Sequence, residues 1–315
     1  MNLIKEKIEI CIITPTWNNE DYTIRCFESI AKNTKVSYKI IWIDNASEKE
    51  SRKKVRDFLE KENILHIAIF NDENKGFVGG TNQGIKMALK INPSYIVFQN
   101  NDTEVFEGWD EKMINVAESD PNIGLVGPIT SPCDSWQSVN HLKVKMDIFK
   151  NLPKYNCNDH NSFSKKIAEK YKNQIIDVEM VAFFSTLFKT ETIRQLGLLS
   201  TDFGIGFGDD DDYCMRAKKQ NWKIVLAANV FIFHNHRTTF KLRFSEDKIK
   251  SMQTKNLAIF KRKHKEFIAG SKNPVSISYY ISIVRKGINV LKRNGIKSFF
   301  GDLKNFIKHG RKYFK

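Results

Sequence analysis

Cysteine is scarce in this chain: five in 315 residues, Cys11, Cys26, Cys133, Cys157 and Cys214, an odd number with no C-x-x-C pair. Neither a disulfide framework nor a structural zinc site is expected, and the usage fits a reducing compartment. Long apolar runs are missing too. Nowhere do about 18 uncharged apolar residues follow one another, so no transmembrane helix is expected. The first apolar stretch is broken by Lys5, Glu6, Lys7 and Glu9, which no secretory h-region would tolerate. Internal repeats and low-complexity tracts are absent. Acidic residues number 36 against 51 Lys plus Arg, a net charge of +15, so an anionic partner is expected: nucleic acid, nucleotide phosphates or an acidic membrane surface. With 41% hydrophobic and 12% aromatic residues, the composition excludes a disordered or fibrous chain. These features predict a cytoplasmic globular protein, free or peripheral on the inner face of the plasma membrane.

Through the first hundred residues, short apolar runs alternate with longer amphipathic stretches, the pattern of βα units around a mostly parallel sheet. Strands are predicted over 8–13, 38–43, 64–70 and 95–98. Helices are predicted over 21–33 and 49–61, with a short one near 85–90 after a Gly- and Asn-rich loop at 71–84. Beyond Thr103 the pattern weakens, and 154–172 reads as a variable surface region. Regularity returns at 178–188, 204–216 and 224–233. From about Phe240 the chain becomes Lys-rich and helical, which sets an expected boundary between domains 1–240 and 241–315.

Polar clusters follow three of the four predicted strands: Thr14-Pro15-Thr16, Asp44-Asn45-Ala46-Ser47 and Asn100-Asn101-Asp102. Ligands of open α/β sheets bind beyond the carboxyl ends of strands, so one shared site is indicated, although Asn, Asp and Ser also favour plain turns. Asp102 could offer a carboxylate to a hard divalent cation or cap a helix. In Gly208-Asp209-Asp210-Asp211-Asp212, four consecutive carboxylates precede a predicted helix. The helix's positive end accounts for one or two of them. Four in a row repel one another and should raise at least one pKa, as a general base requires. His234 and His236 end an apolar strand, as a structural pair or as ligands that with Asp102 would suit Mg²⁺ or Mn²⁺.

The ordered set 13–18 (Ile-Thr-Pro-Thr-Trp-Asn), 43–47 (Ile-Asp-Asn-Ala-Ser), 74–84 (Asn-Lys-Gly-Phe-Val-Gly-Gly-Thr-Asn-Gln-Gly), 99–105 (Gln-Asn-Asn-Asp-Thr-Glu-Val) and 208–212 resembles glycosyltransferase family 2, and within it the bacterial surface-polysaccharide, rhamnosyltransferase-like branch. The resemblance covers about residues 8–240. It implies an α/β GT-A fold, Rossmann-like with a mostly parallel central sheet flanked by helices, and a basic helical C-terminal extension. It further implies an inverting, metal-dependent hexosyltransferase that uses a UDP- or dTDP-sugar and a glycan or lipid-linked acceptor. Thr14, Pro15, Thr16, Asn18, Asp44, Asn45, Gly76, Asn82 and Asn101 would bind the nucleotide, with Asp44 accepting the N3–H of uracil or thymine. Gly76 and Asn82 would bound a loop lying close to ribose and diphosphate. Asp102 and His234 would hold Mn²⁺ or Mg²⁺, His236 having the weaker claim. Asp210 would be the catalytic base and Asp209 the second candidate, with Asp212 orienting a neighbour or capping the helix. Asn replaces the first acid of the family's D-x-D metal motif.

Three rival readings were weighed. A dinucleotide-binding loop at 76–84 lacks the G-x-G-x-x-G spacing. A nucleic-acid-binding protein would be basic, but no recognition helix, zinc finger or RNA-binding aromatic motif is present. A catalytically silent sugar-nucleotide-binding scaffold would keep the fold, yet Asp102, Asp210 and His234 are all retained. The segment 276–315 carries ten cations and one acid, with apolar residues at helical intervals. It suits an anionic membrane surface or, equally, an interface on this domain or in a homo-oligomer.

Overall fold

The computed structural model describes residues 7–133, 135, 137–235 and 245–265, without the side chains of Glu246 and Lys250. The basic segment 276–315 and His236 lie outside the described residues. The chain divides into two compact units, Met1–Ile259 and Phe260–Lys315; the expected boundary near 240 falls among residues not described.

The first half is built as its apolar runs dictate. β1 (Ile10–Thr16), β2 (Tyr38–Asp44), β3 (His66–Phe70) and β4 (Tyr95–Gln99) lie side by side in the order β3-β2-β1-β4, all parallel. β1 and β4 are covered on both faces, which explains why they read as unbroken apolar runs rather than alternating ones. α1 (Glu20–Asn33) turns Cys26, Phe27 and Ile30 inward, and α2 (Lys49–Lys61) turns Val55 and Leu59 inward. They join Trp42 and Trp109 in a core where each buried large side chain contributes about 1.5–3 kcal/mol.

α3 (Gly76–Ile91) corrects one expectation. The segment 71–84 was expected to be a loop, with only a short helix after it, but the helix begins at Gly76. Gly76 turns the chain into the helix at φ 68°, but Gly80 and Gly84 are there for close packing. A Cβ on Gly80 would lie 3.1 Å from both Pro15 Cβ and Asn45 Nδ2, and one on Gly84 would overlap Ile13 Cγ2. The helix therefore settles directly on β1 and β2, and tertiary packing overrides the weak intrinsic helix propensity of glycine.

The second half is mixed. After β5 (Thr103–Glu104) and α4 (Trp109–Glu118), β6 (Ile123–Thr130) and β8 (Ser185–Lys189) extend the sheet, with β8 antiparallel to both β4 and β6. Between them lie α5 (Val139–Lys145), α6 (His160–Lys170) and β7 (Ile175–Asp177). The segment that read as variable surface thus contains a helix whose Phe163 and Ile167 are buried. α7 (Thr190–Leu196) and α8 (Asp209–Lys219) lead into β9 (Lys223–His234), and α9 (Glu246–Lys263) follows. The described strands form one nine-stranded sheet in the order β3-β2-β1-β4-β8-β6-β9-β5, with β7 also on β9.

β9 determines where the sheet's far end points. It runs parallel to β6 until Ala227 faces Pro128. Then the register slips by three residues, so that Phe231 faces Ile129. Such a bulge bends its strand, and the remainder of β9 lies antiparallel to β5 with His234 opposite Thr103. Among the described residues no helix is long and apolar enough to cross a membrane. All five cysteines are free thiols, and burial pushes those of Cys11 and Cys26 up to about 12, so neither is a nucleophile at neutral pH.

Replacing Gly84 with Ala overfills the α3–β1 contact, and a loss of roughly 1–3 kcal/mol is expected. Urea unfolding of the variant checks this; an unchanged midpoint would show that the helix can lift off β1 at no cost.

Candidate active site

Three clusters gather at the carboxyl ends of the strands. The first is a cradle between β1, β2 and α3. Asn18, in the left-handed region at φ 50°, donates its N–H to Ser47 Oγ at 2.8 Å and accepts the Glu48 N–H at 2.9 Å on its side-chain oxygen. This zips the loop after β1 to the loop after β2. Asn45 donates from N to Thr16 O (2.8 Å) and from Nδ2 to Gly76 O (3.1 Å), so one buried amide joins all three elements. Asn71 donates to Asn45 Oδ1 at 2.9 Å and forms a reciprocal amide pair with Gln83, 2.8 Å in each direction.

Asp44 is the charged member of this cradle and is 1% exposed. Its Oδ1 accepts from Arg52 Nη2 (2.7 Å), Arg52 Nε (3.0 Å) and the Ser47 N–H (3.1 Å), while its buried Oδ2 has no partner among the described residues. A buried carboxylate oxygen without a donor is costly, and a ligand N–H would relieve it. Arg52 in turn stacks over Phe70, its guanidinium carbon 4.9 Å from the ring centroid.

The other expected nucleotide residues divide. Thr16 Oγ1 accepts the Trp42 indole N–H at 2.8 Å. Asn82 uses both ends of its side chain on Leu199, donating to its O at 3.0 Å and accepting its N–H at 2.9 Å. Asn101 donates to Thr23 Oγ1 at 2.9 Å, tying β4 to α1. Thr14 is fully buried. The absent Cβ of Gly76 would lie 2.7 Å from Ile205 Cα, so its bareness admits the protein's own 203–208 loop. These bonds make Thr16, Asn82 and Asn101 supports of the cradle's walls.

The second cluster joins Asp102 to His234. Asp102 Oδ1 and His234 Nε2 are 3.2 Å apart, with side chains 10% and 7% exposed, and Asn100 Nδ2 is 3.4 Å from the same nitrogen. The bulge in β9 produces this meeting, and the Asn235 N–H closes it by donating to Asp102 O at 2.9 Å. Ser131 Oγ donates to His234 O (2.9 Å) and accepts its N–H (3.2 Å), and Phe184 stacks on the imidazole at 5.0 Å and 15°. One carboxylate oxygen and one imidazole nitrogen in contact are a donor set that Mn²⁺ or Mg²⁺ accepts, with the remaining positions left to phosphate oxygens and water. Among the described residues no group of three His, Cys, Asp or Glu side chains converges, so a cation held by this pair would need further ligands from outside the protein.

The third cluster is the start of α8, where Gly208 at φ 89° precedes four acids. Asp212 is fully buried and ion-pairs with Arg216 at 3.0 Å, which also donates to Leu196 O (2.7 Å) and Leu198 O (2.9 Å). Asp209 is 4% exposed, and burial first, then the charge of Asp210, drives its carboxyl well above the usual range. Asp210 is half-buried; burial raises its pKa too, opposed by the N–H groups of Asp211, Gly208 and its own backbone. Cys214, one turn on, donates through Sγ to Val181 O at 3.6 Å, and the neighbouring Asn100 N–H donates to Phe184 O at 2.8 Å. Segment 181–184 thus ties α8 to the Asp102–His234 pair.

Sequence patterns did not single out Arg52, Asn71, Gln83, Ser131 or Phe184. Arg52 sits in a charged helix like any solvated cation, and the others act through tertiary neighbours. Only the placement of Asn71 just past β3 could have drawn notice, by the same strand-end rule that marked Asp44.

A parallel α/β half-sheet with an acid-bearing loop at its middle strand, completed by an antiparallel return carrying a histidine, is the architecture of the GT-A glycosyltransferases. Residues 11–186 match the sequence model of Glycosyl transferase family 2, more than half of the chain, and the chain belongs to that family. A similar protein is the dolichyl N-acetyl-alpha-D-glucosaminyl phosphate 3-beta-D-2,3-diacetamido-2,3-dideoxy-beta-D-glucuronosyltransferase of Methanococcus voltae, 22% identical over 261 residues, or 80% of this chain and 74% of that protein. Among solved structures, GalNAc-T7 with UDP, GalNAc and Mn²⁺ superposes with a TM-score of 0.55 at 16% identity over 73% of this chain. The match spans 44% of that longer protein, and it bears on the fold alone.

The raised carboxyl of Asp209 has a stability consequence. Its folded pKa lies above its unfolded one, so stability present at low pH is lost as pH rises from the unfolded toward the folded value. Asp209→Asn removes that loss. Its melting temperature should gain on the wild type as pH goes from 4 to 8; a difference independent of pH would mean that Asp209 is solvated.

Proposed function

We propose that this protein is an inverting, metal-dependent hexosyltransferase that moves a sugar from a UDP- or dTDP-sugar to a hydroxyl of a glycan or lipid-linked acceptor in the synthesis of cell-surface polysaccharide such as O-antigen or capsule. The observation that carries the reading is the contact of Asp102 with His234, two ligand-type side chains brought together from the turn after β4 and the end of β9. The family membership supports sugar transfer. GalNAc-T7, which shares the fold, was crystallised with UDP and Mn²⁺, the donor type and cation class proposed here, and the dolichyl phosphate in the archaeal relative's name supports a lipid-linked acceptor.

In this reading the cradle takes the nucleotide, with Asp44 Oδ2 receiving the base N3–H while Arg52 holds Oδ1. Guanine, whose ring N–H is paired with an amino group, fits this single acceptor less well. Asp102 and His234 would hold the cation, which when bound supplies charge neutralisation for the departing diphosphate. Asp210 removes the acceptor hydroxyl proton as that oxygen bonds to the anomeric carbon. The bond from that carbon to the diphosphate oxygen breaks on the opposite face, and the configuration inverts. Burial raises the carboxyls of both Asp209 and Asp210, and the charge of Asp210 raises that of Asp209 further, the upward push that a general base requires. The basic segment 276–315 would hold the enzyme on the anionic inner leaflet, beside a lipid-linked acceptor.

Calorimetric titration with UDP, dTDP and GDP, with and without Mn²⁺, is expected to give metal-dependent binding of one pyrimidine diphosphate, weakened in Asp44→Ala and Asp102→Ala. Absence of binding by all three would remove the donor site. Asp210→Asn should bind that nucleotide normally while turnover falls by about 10²- to 10⁴-fold. Near-normal turnover would move the base elsewhere.

A further inference from the structure

The loop that leads into α8 cannot hold its own shape. Gly204, Gly206, Phe207 and Gly208 adopt φ of 63°, 144°, 72° and 89°, and Phe207 is a bulky side chain in a region that favours glycine. A backbone wound this way persists only when its surroundings over-determine it. Here one side chain from a distant helix supplies three of the bonds that do so. Asn256 of α9, 6% exposed, donates from Nδ2 to Phe203 O at 2.9 Å, to Gly206 O at 2.8 Å and to Phe207 O at 2.9 Å. An amide nitrogen carries two hydrogens, so three acceptors share them, and the three carbonyls are drawn to one point. Gly208 completes the fit: a Cβ there would stand 3.3 Å from the Phe203 ring and 3.9 Å from Asn256 Cβ.

The loop is joined to both halves of the site. Gly208 O accepts the Asp212 N–H at 3.0 Å, so the loop sets where α8 begins. On its other side Ile205 O accepts the Phe77 N–H at 3.2 Å. The cradle, however, has ties of its own, because Gly76 is held by Asn45 (3.1 Å) and by Asn74 (2.9 Å). Loss of the grip from α9 would therefore displace the acids of α8 more than the cradle.

We propose that Asn256 is a positioning residue for the transfer reaction: its amide gathers the 203–208 loop and thereby fixes how Asp209 and Asp210 are presented to the acceptor hydroxyl. The inference rests on the reading of Asp210 as the base. It lies outside the segment matched by the family's sequence model, which ends at residue 186. A shift of about 1 Å in a reacting group is enough to cost on the order of 10²-fold in rate.

The test uses the full chain as wild type, Asn256→Ala, Asn256→Asp and Asp210→Asn. UDP-glucose, UDP-N-acetylglucosamine, UDP-N-acetylgalactosamine and dTDP-glucose serve as donors with water as acceptor, and nucleotide release is the readout. UDP and dTDP affinity and melting temperature are measured alongside. Aspartate keeps the volume of asparagine but removes its amide hydrogens, so it separates hydrogen bonding from packing. In both Asn256 variants kcat is expected to fall about 10- to 100-fold, with donor KM and nucleotide Kd within about threefold of wild type. Unchanged kcat in either variant, whatever the melting temperature, overturns the proposal. So does an equal loss of kcat and nucleotide affinity, or failure of both variants to fold, since either makes Asn256 a residue of general stability. If wild type releases no nucleotide from any donor, or Asp210→Asn turns over normally, the transferase or base reading itself has failed and the inference falls with it. Release by wild type that is lost in Asp210→Asn but kept in the Asn256 variants sinks the positioning role alone.

Discussion

The meeting of β9 with β5 is the constraint on which the site depends. In unbroken register with β6, β9 would carry His234 three residues further along the sheet. The three-residue slip opposite Pro128 and Ile129 bends it instead, so that His234 arrives opposite Thr103 with its ring against Asp102. Ser131, bonding the backbone of His234 from both sides, and Phe184, stacked on its ring, keep that arrival fixed. A carboxylate and an imidazole this poorly exposed to water are expensive to leave without strong polar partners. The same few contacts that bring His234 to Asp102 also secure the end of the sheet.

The cradle on the parallel side is built on a different economy. Its walls are backbone and amide, and amides satisfy one another: Asn45 to Gly76, Asn71 to Asn45 and Gln83. Such a network is rigid because each donor has an assigned acceptor. Its one charge, Asp44, is half satisfied by Arg52 and half open. The glycines of α3 bring the helix close enough for these short side chains to reach. Packing and recognition thus share one cause, the missing Cβ atoms at Gly80 and Gly84.

The acids of α8 illustrate how one sequence feature divides into separate roles once folded. Asp212 is neutralised by Arg216 and braces the turn at residues 196–198. Asp209 is buried without such a cation, so its carboxyl is pushed well above the usual range. Asp210, next to it and half-buried, is raised by burial but opposed by backbone N–H groups. Identical side chains differ because neighbours and solvent differ.

Much of this was legible in the sequence. Apolar runs gave the four parallel strands to within a few residues, most clearly β1 and β4, because a strand covered on both faces must be continuously apolar. Strand-end polar residues marked Asp44 and Asp102, since a parallel sheet delivers such residues to one edge. The motif order gave the family and the GT-A fold. Other features were beyond any local pattern. The helical state of residues 76–84 was hidden because glycine's turn preference is overridden only by contact with Ile13 and Pro15. The bonds of Asn82 to Leu199 and of Asn256 to the 203–208 loop join positions far apart in the chain, and no periodicity connects them. The sequence by itself determined which side chains are available and at which strand ends they stand. The tertiary structure decided which of them remain open to a ligand and which are spent on holding the others, because a hydrogen bond is assigned by proximity in space.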